Sequence, residues 1–122
     1  MKVLEKKQDE PSDSIVMLSG DLMFASRVKS AAENAGFQFR FGGNLPEDNF
    51  DSIRFVILDL STRSGLTPTI VGLCQKRCPE AKLIAYGPHV HVAKLEAARQ
   101  AGIATVMTNG QFDGQLGSLF AR

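Results

Sequence analysis

From Ser14 onward, short bursts of consecutive apolar residues alternate with stretches in which apolar positions return every three or four residues. Ile15-Val16-Met17-Leu18 is the first burst, and the turn signal Ser19-Gly20 closes it, so it reads as a buried strand. Asp21 then stands where a helix cap belongs. Phe24, Val28, Ala31 and Ala35 follow at intervals of four, three and four, which predicts an amphipathic helix from about Leu22 to Ala35 ended by Gly36. Phe37, Phe39 and Phe41 alternate with Gln38 and Arg40, a period of two that predicts a second strand stopped by Gly42-Gly43. Between Asn44 and Ser52, Leu45-Pro46 and Phe50 lie among acidic residues, and any helix there is short.

Phe55-Val56-Ile57-Leu58-Asp59-Leu60 has the continuous apolar character of a central parallel strand covered on both faces. Thr67-Pro68 predicts an N-cap and first helical residue, for a helix running to Cys78 that buries Ile70, Val71, Cys74 and Cys78 before Pro79. Lys82 to Tyr86 reads as a fourth strand, closed by Gly87-Pro88, and Val90 to Ala101 as a helix stopped by Gly102. Ile103 to Thr108 reads as a fifth strand, and Asp113 to Phe120 as a short last helix weakened by Gly114 and Gly117. Strands alternating with helices imply an α/β fold, a parallel sheet with helices on both faces. Right-handed crossovers then favour a doubly wound, five-stranded sheet of order 2-1-3-4-5.

At 122 residues and 43% hydrophobic content the chain has the size and make-up of one globular domain. Met1 to Asp13, dominated by Lys, Glu, Asp and Gln, is expected to be a flexible leader, with the domain spanning 14–122. Fourteen Lys and Arg against thirteen Asp and Glu give +1, so no global field favours nucleic acid or an anionic membrane surface. No apolar run is long enough to span a bilayer or serve as a secretory signal, so a cytoplasmic location is expected. Cys74 and Cys78, one helical turn apart, read as small buried hydrophobes; as a metal site they would need further ligands.

In a doubly wound sheet the functional crevice lies beyond the carboxyl ends of the strands. The residues placed there are Ser19, Gly20 and Asp21 after the first strand, Asp59 at the third, Tyr86 and Gly87 at the fourth, and Thr108 and Asn109 at the fifth. Asp59 is the one ionisable residue in its apolar run. It is a candidate phosphoacceptor or ligand contact, and equally a residue that solvates a strand end or caps a loop.

The runs Ile15–Leu18 with Ser19–Phe24, Phe55–Leu60, and Ala101–Thr108 together resemble the first strand, third strand and fifth-strand approach of response-regulator receiver domains, a likeness reaching from Ser14 to Phe120. The resemblance implies the flavodoxin-like, receiver-like order 2-1-3-4-5 and places Asp59 at the phosphoacceptor position. It also exposes departures. The adjacent acids that hold Mg²⁺ in the family are matched by Ser19 and Gly20, so Mg²⁺ is expected to bind weakly if at all. Asp21, one position late, reads as a helix cap or a pocket residue. The family's Thr or Ser after the fourth strand is matched by Tyr86, or by Gly87 one position on; a Tyr86 hydroxyl would be placed to donate to Asp59. The family's lysine is matched by Asn109, and its aromatic switch falls near Val106.

Phosphoryl transfer rests on positioning and charge neutralisation, and this set has lost most of both. The expectation is a pseudo-receiver, a two-component signalling domain acting by docking or dimerisation. Its partners would be proteins, such as a histidine kinase, an output protein or a second copy in a homodimer. By analogy with receivers its output surface is roughly Val90 to Phe120, including His91, Lys94, Arg99 and Phe112. Two alternatives stand: a receiver phosphorylated on Asp59, and a small-ligand module in which Gly20, Asp59, Tyr86 and Asn109 line a pocket. G-x-S-x-G, G-x-G-x-x-G and G-x-x-x-x-G-K-[ST] are all absent, so an enzyme is not expected. His89 and His91 read as solvated residues where a helix begins rather than as zinc ligands.

Overall fold

The computed structural model describes residues 13–121, so the expected leader lies outside the described residues apart from Asp13. Five parallel strands form one sheet in the order β2-β1-β3-β4-β5. They are β1 (Ser14–Leu18), β2 (Gln38–Gly42), β3 (Ile53–Asp59), β4 (Lys82–Gly87) and β5 (Thr105–Thr108). The helices are α1 (Leu22–Asn34), α2 (Leu60–Arg63), α3 (Thr67–Arg77), α4 (Val92–Gln100) and α5 (Asn109–Leu119). The doubly wound order expected from the sequence is the order found.

The pleat divides the sheet's side chains between two cores. Val56 and Leu58 of β3, with Val16, Leu18 and Ala85, face α3 and α4, where Ile70, Cys74, Leu95 and Ala98 meet them. Ile57, with Ile15, Met17, Ile84 and Met107, faces α1 and α5, where Val28, Ala32, Phe112, Leu116 and Phe120 close the layer. The same alternation carries Asp59 onto the α1/α5 face two residues beyond Ile57. The β3–β4 register sets it directly beside Tyr86.

Some local expectations hold, the short turn before β3 and the Gly36 stop among them, and others are corrected. The link from β2 to β3 contains one 3₁₀ turn, Phe50–Ser52, where a doubly wound fold ordinarily carries a crossover helix. The acids and Pro46 of that stretch leave too few apolar positions to bury such a helix. Thr67 is not an N-cap: α2 runs into a 3₁₀ turn (Ser64–Leu66) and then into α3, so Thr67 is already helical. Its hydroxyl is buried without a hydrogen-bond partner. Helix α4 begins at Val92 rather than Val90, because His91 N–H closes a turn on the Pro88 carbonyl. Helix α5 begins four residues before Asp113. Thr108 and Gln111 form a capping box that starts it immediately after β5. Gly36 ends α1 with φ at 89°, a conformation in which a side chain is strained.

Cys74 and Cys78 are free, buried thiols; burial, with Cys78 alongside, pushes the Cys74 thiol up to about 12. Thiols held protonated in this way pack as apolar groups.

The Thr67 finding separates two outcomes for Thr67→Val. Removal of a true cap costs about 1 kcal/mol, whereas removal of a buried, unpaired hydroxyl costs nothing or stabilises by about 1 kcal/mol. Urea unfolding of the variant is expected to show no loss of stability.

Candidate functional site

Asp59 is the last residue of β3 and the N-cap of α2, a consequence of the strand running into a helix with no intervening loop. Its side chain is 2% exposed. Oδ1 accepts the Ser61 backbone N–H at 2.9 Å, while Oδ2 accepts the hydroxyls of Ser19 at 2.7 Å and Thr62 at 2.8 Å. The ring extends outward: Ser19 Oγ accepts the Asp21 N–H at 2.9 Å, and Thr62 Oγ1 accepts the Gly20 N–H at 2.9 Å. Neutral donors therefore hold this buried carboxylate, and among the described residues no Lys or Arg is hydrogen-bonded to it. Hydrogen bonds to a charged acceptor are stronger than neutral ones, and three of them offset much of the cost of burying an isolated anion.

Asp21 caps α1 by accepting the Met23 and Phe24 N–H groups, both at 3.1 Å. Asp21, Asp59, Tyr86 and Asn109 converge on one cavity of about 500 Å³, together with Met23, Phe24, Arg27, Ser61, Gly110 and Asp113. Across it Arg27 pairs with Asp113 at 2.6 Å, linking α1 to α5. Ser19 and Gly20 stand behind this wall and reach it through the Asp59 ring. Gly87 and Thr108 lie outside it. A Cβ on Gly87 would meet Leu60 Cβ at 3.2 Å, so that glycine serves close packing of β4 on α2. The Thr108 hydroxyl is committed to the α5 cap.

Tyr86 does not donate to Asp59. Its ring stacks on Phe112 at 4.4 Å and meets the edge of Phe24 at 5.4 Å, and the hydroxyl is left buried with no hydrogen-bond partner. Both oxygens of Asp59 are already committed. Burial, reinforced by the nearby charges of Asp59 and Asp21, raises the pKa of Tyr86 above the ordinary tyrosine value, against a smaller opposing contribution from Ser19. Phe112, expected on the output surface, is fully buried for the same reason: it is the partner of the Tyr86 ring.

Sequence reasoning missed Thr62, Arg27 and Asp113. Thr62 was within reach, since Asp59-x-x-Thr62 is the spacing that brings a residue back to its own N-cap. Arg27 lies three residues after Phe24 and so shares its helix face. Its pairing with Asp113 needed the α1–α5 contact. His89 and His91 are exposed, and among the described residues no group of three His, Cys, Asp or Glu side chains is placed to hold a metal ion.

No protein-family model matches the chain, and no curated protein matches it in sequence. Solved structures do match it in fold. A response regulator from Thermotoga maritima is 14% identical with TM-score 0.59, the match covering 88% of this chain and 99% of that one. A response regulator from Burkholderia pseudomallei, seen with a phosphorylated aspartic acid, a calcium ion and citrate, is 17% identical with TM-score 0.61 over 80% of this chain and 60% of that one. The receiver domain of Ssk1 from Saccharomyces cerevisiae, crystallised with the histidine phosphotransfer protein Ypd1, is 9% identical with TM-score 0.59 over 81% and 79%. The fold of this chain is the receiver fold.

Tyr86 is the sole tyrosine and tryptophan is absent, so tyrosinate absorbance reports on this site alone. Because the folded-state pKa is raised, the stabilisation linked to neutral Tyr86 is complete below about pH 10. It is lost as the pH climbs from there through the folded value. Alkaline titration is expected to show delayed ionisation that becomes ordinary in denaturant. Tyr86→Phe should leave neutral-pH stability unchanged or raise it by about 1 kcal/mol, and should flatten the alkaline decline. Ser19→Ala, which strips Asp59 of a donor and the Asp21 N–H of an acceptor, should cost about 2 kcal/mol in urea unfolding.

Proposed function

We propose that this chain is an atypical response-regulator receiver domain that signals through protein docking or dimerisation, with a pocket that has given up phosphoryl transfer. The observation that supports this most strongly is the state of Asp59. Both oxygens are engaged by hydroxyl and backbone donors, and among the described residues no cation is hydrogen-bonded to them. A phosphoacceptor needs one oxygen free to attack, a metal to draw the incoming phosphoryl group, and a positive charge to hold the product. Here Ser19 and Gly20 stand where the resemblance implies an acid pair, and Asn109 where it implies lysine. A divalent Mg²⁺ calls for carboxylate and water oxygens in an octahedral shell. The residues present do not fit it: Ser19 is neutral, Gly20 has no side chain, and Asp59 is committed.

The proposed partners are proteins, whether a histidine kinase, an output protein or a second copy, in the cytoplasm. No helix among the described residues is long and apolar enough to cross a membrane. Val90, in the turn before α4, and Val92, its first residue, are each 68% exposed and offer apolar contact on the surface that receivers use for output. The small-ligand reading is favoured by a different observation, the unpartnered Tyr86 hydroxyl on the cavity wall.

Incubation with Mg²⁺ and acetyl phosphate followed by intact-protein mass measurement is expected to show no adduct in a folded sample. An adduct that disappears in Asp59→Asn would restore the phosphorylated-receiver reading.

A further inference from the structure

Three features of the cavity between α1 and α5 bear on what it can hold. The first is charge. Among the described residues, Asp21, Asp59 and Asp113 line it against the single cation Arg27, so three carboxylates and one guanidinium leave two negative charges in excess. Arg27 is itself occupied by Asp113.

The second is the fate of the backbone donors that would otherwise welcome an anion. Helix N-termini carry unsatisfied N–H groups and a partial positive charge of about half a unit. Here side chains take up several of them. Asp21 accepts from Met23 and Phe24, Asp59 from Ser61, and Thr108 and Gln111 cap α5 reciprocally. An arriving phosphate would meet three carboxylates and fewer free donors than bare helix ends offer.

The third is the Tyr86 hydroxyl. Tyr86 is 2% exposed and lines the cavity, yet its oxygen has no partner. An unpaired buried hydroxyl is unfavourable, and an N–H donor entering the cavity would give its oxygen a partner. Beside it Phe24 and Met23 supply an apolar wall, the phenyl face being also a favourable surface for a cation. The volume, about 500 Å³, is that of a small-molecule site rather than of a bare ion.

We propose that this cavity binds a small organic ammonium compound with an apolar body. Its head sits between Asp21 and Asp59 and donates to the Tyr86 hydroxyl, and its body lies on Phe24 and Met23. The inference rests on the reading that the pocket no longer transfers phosphoryl groups, and it inverts the charge of the guest.

The test uses the full chain, labelled with ¹⁵N, and phenethylammonium as probe. Phenylethanol and phenyl phosphate serve as neutral and anionic counterparts of similar size. Phenethylammonium should shift the Tyr86, Asn109 and Gly110 amides saturably and raise the melting temperature; the other two should do neither. Asp21→Asn keeps an Asn cap on α1 while removing a charge, and should weaken binding about tenfold. Tyr86→Phe, no less stable than the parent, should weaken it by a similar factor; a purely structural tyrosine would not separate stability from binding in this way. The proposal fails if the ammonium produces no saturable response, if phenylethanol or phenyl phosphate binds as well, or if both variants bind like the parent. Failure without a phosphoryl adduct under acetyl phosphate leaves the docking reading in place. A phosphoryl adduct overturns both.

Discussion

The site is organised by the clasp of neutral donors on the buried carboxylate of Asp59. Ser19 ties it to the end of β1, Thr62 and Ser61 tie it to α2, and through Thr62 the clasp reaches the Gly20 backbone. A buried anion without a counter-ion is tolerated only where donors converge on it. The first and third strands must therefore end at matching heights, and β3 must turn directly into helix. The β1–β3 register supplies the first condition and the absence of a loop after Asp59 the second. The same hydrogen bonds that make Asp59 affordable inside the protein are those on which the proposed loss of phosphoryl transfer rests.

Much of this was legible in the chain. The apolar bursts at Ile15–Leu18 and Phe55–Leu58 exceed what an exposed strand would carry, and Gly36 and Gly102 mark helix ends at positive φ. Asp21 followed by an amphipathic stretch announced its own cap. What was not legible depended on competition between local signals. Thr67-Pro68 has the form of a helix start, but a helical turn had already begun upstream at Leu60. Asp113 seemed the natural first residue of the last helix because Gly110 intervenes, yet the Thr108-x-x-Gln111 pair outweighs one glycine. The site itself was half visible. Strand ends pointed to Asp59, Tyr86 and Asn109, whereas Arg27 and Asp113 became neighbours only when α1 and α5 packed on the same face.

Tyr86 links the cavity to the core. Its ring is part of the aromatic group formed with Phe24 and Phe112, so the side chain that bounds the cavity also holds α1 and α5 against the sheet. The hydroxyl at its tip is buried without a hydrogen-bond partner.

The junctions around the cavity are short. Three residues join β1 to α1, and none separates β3 from α2 or β5 from α5. Junctions this short leave the walls they join little conformational freedom to surrender when a guest arrives. Exchange would then be governed by diffusion into an already formed cleft and by contact lifetime. Occupancy would follow the ambient concentration of the guest promptly, the behaviour of a gauge rather than of a latch.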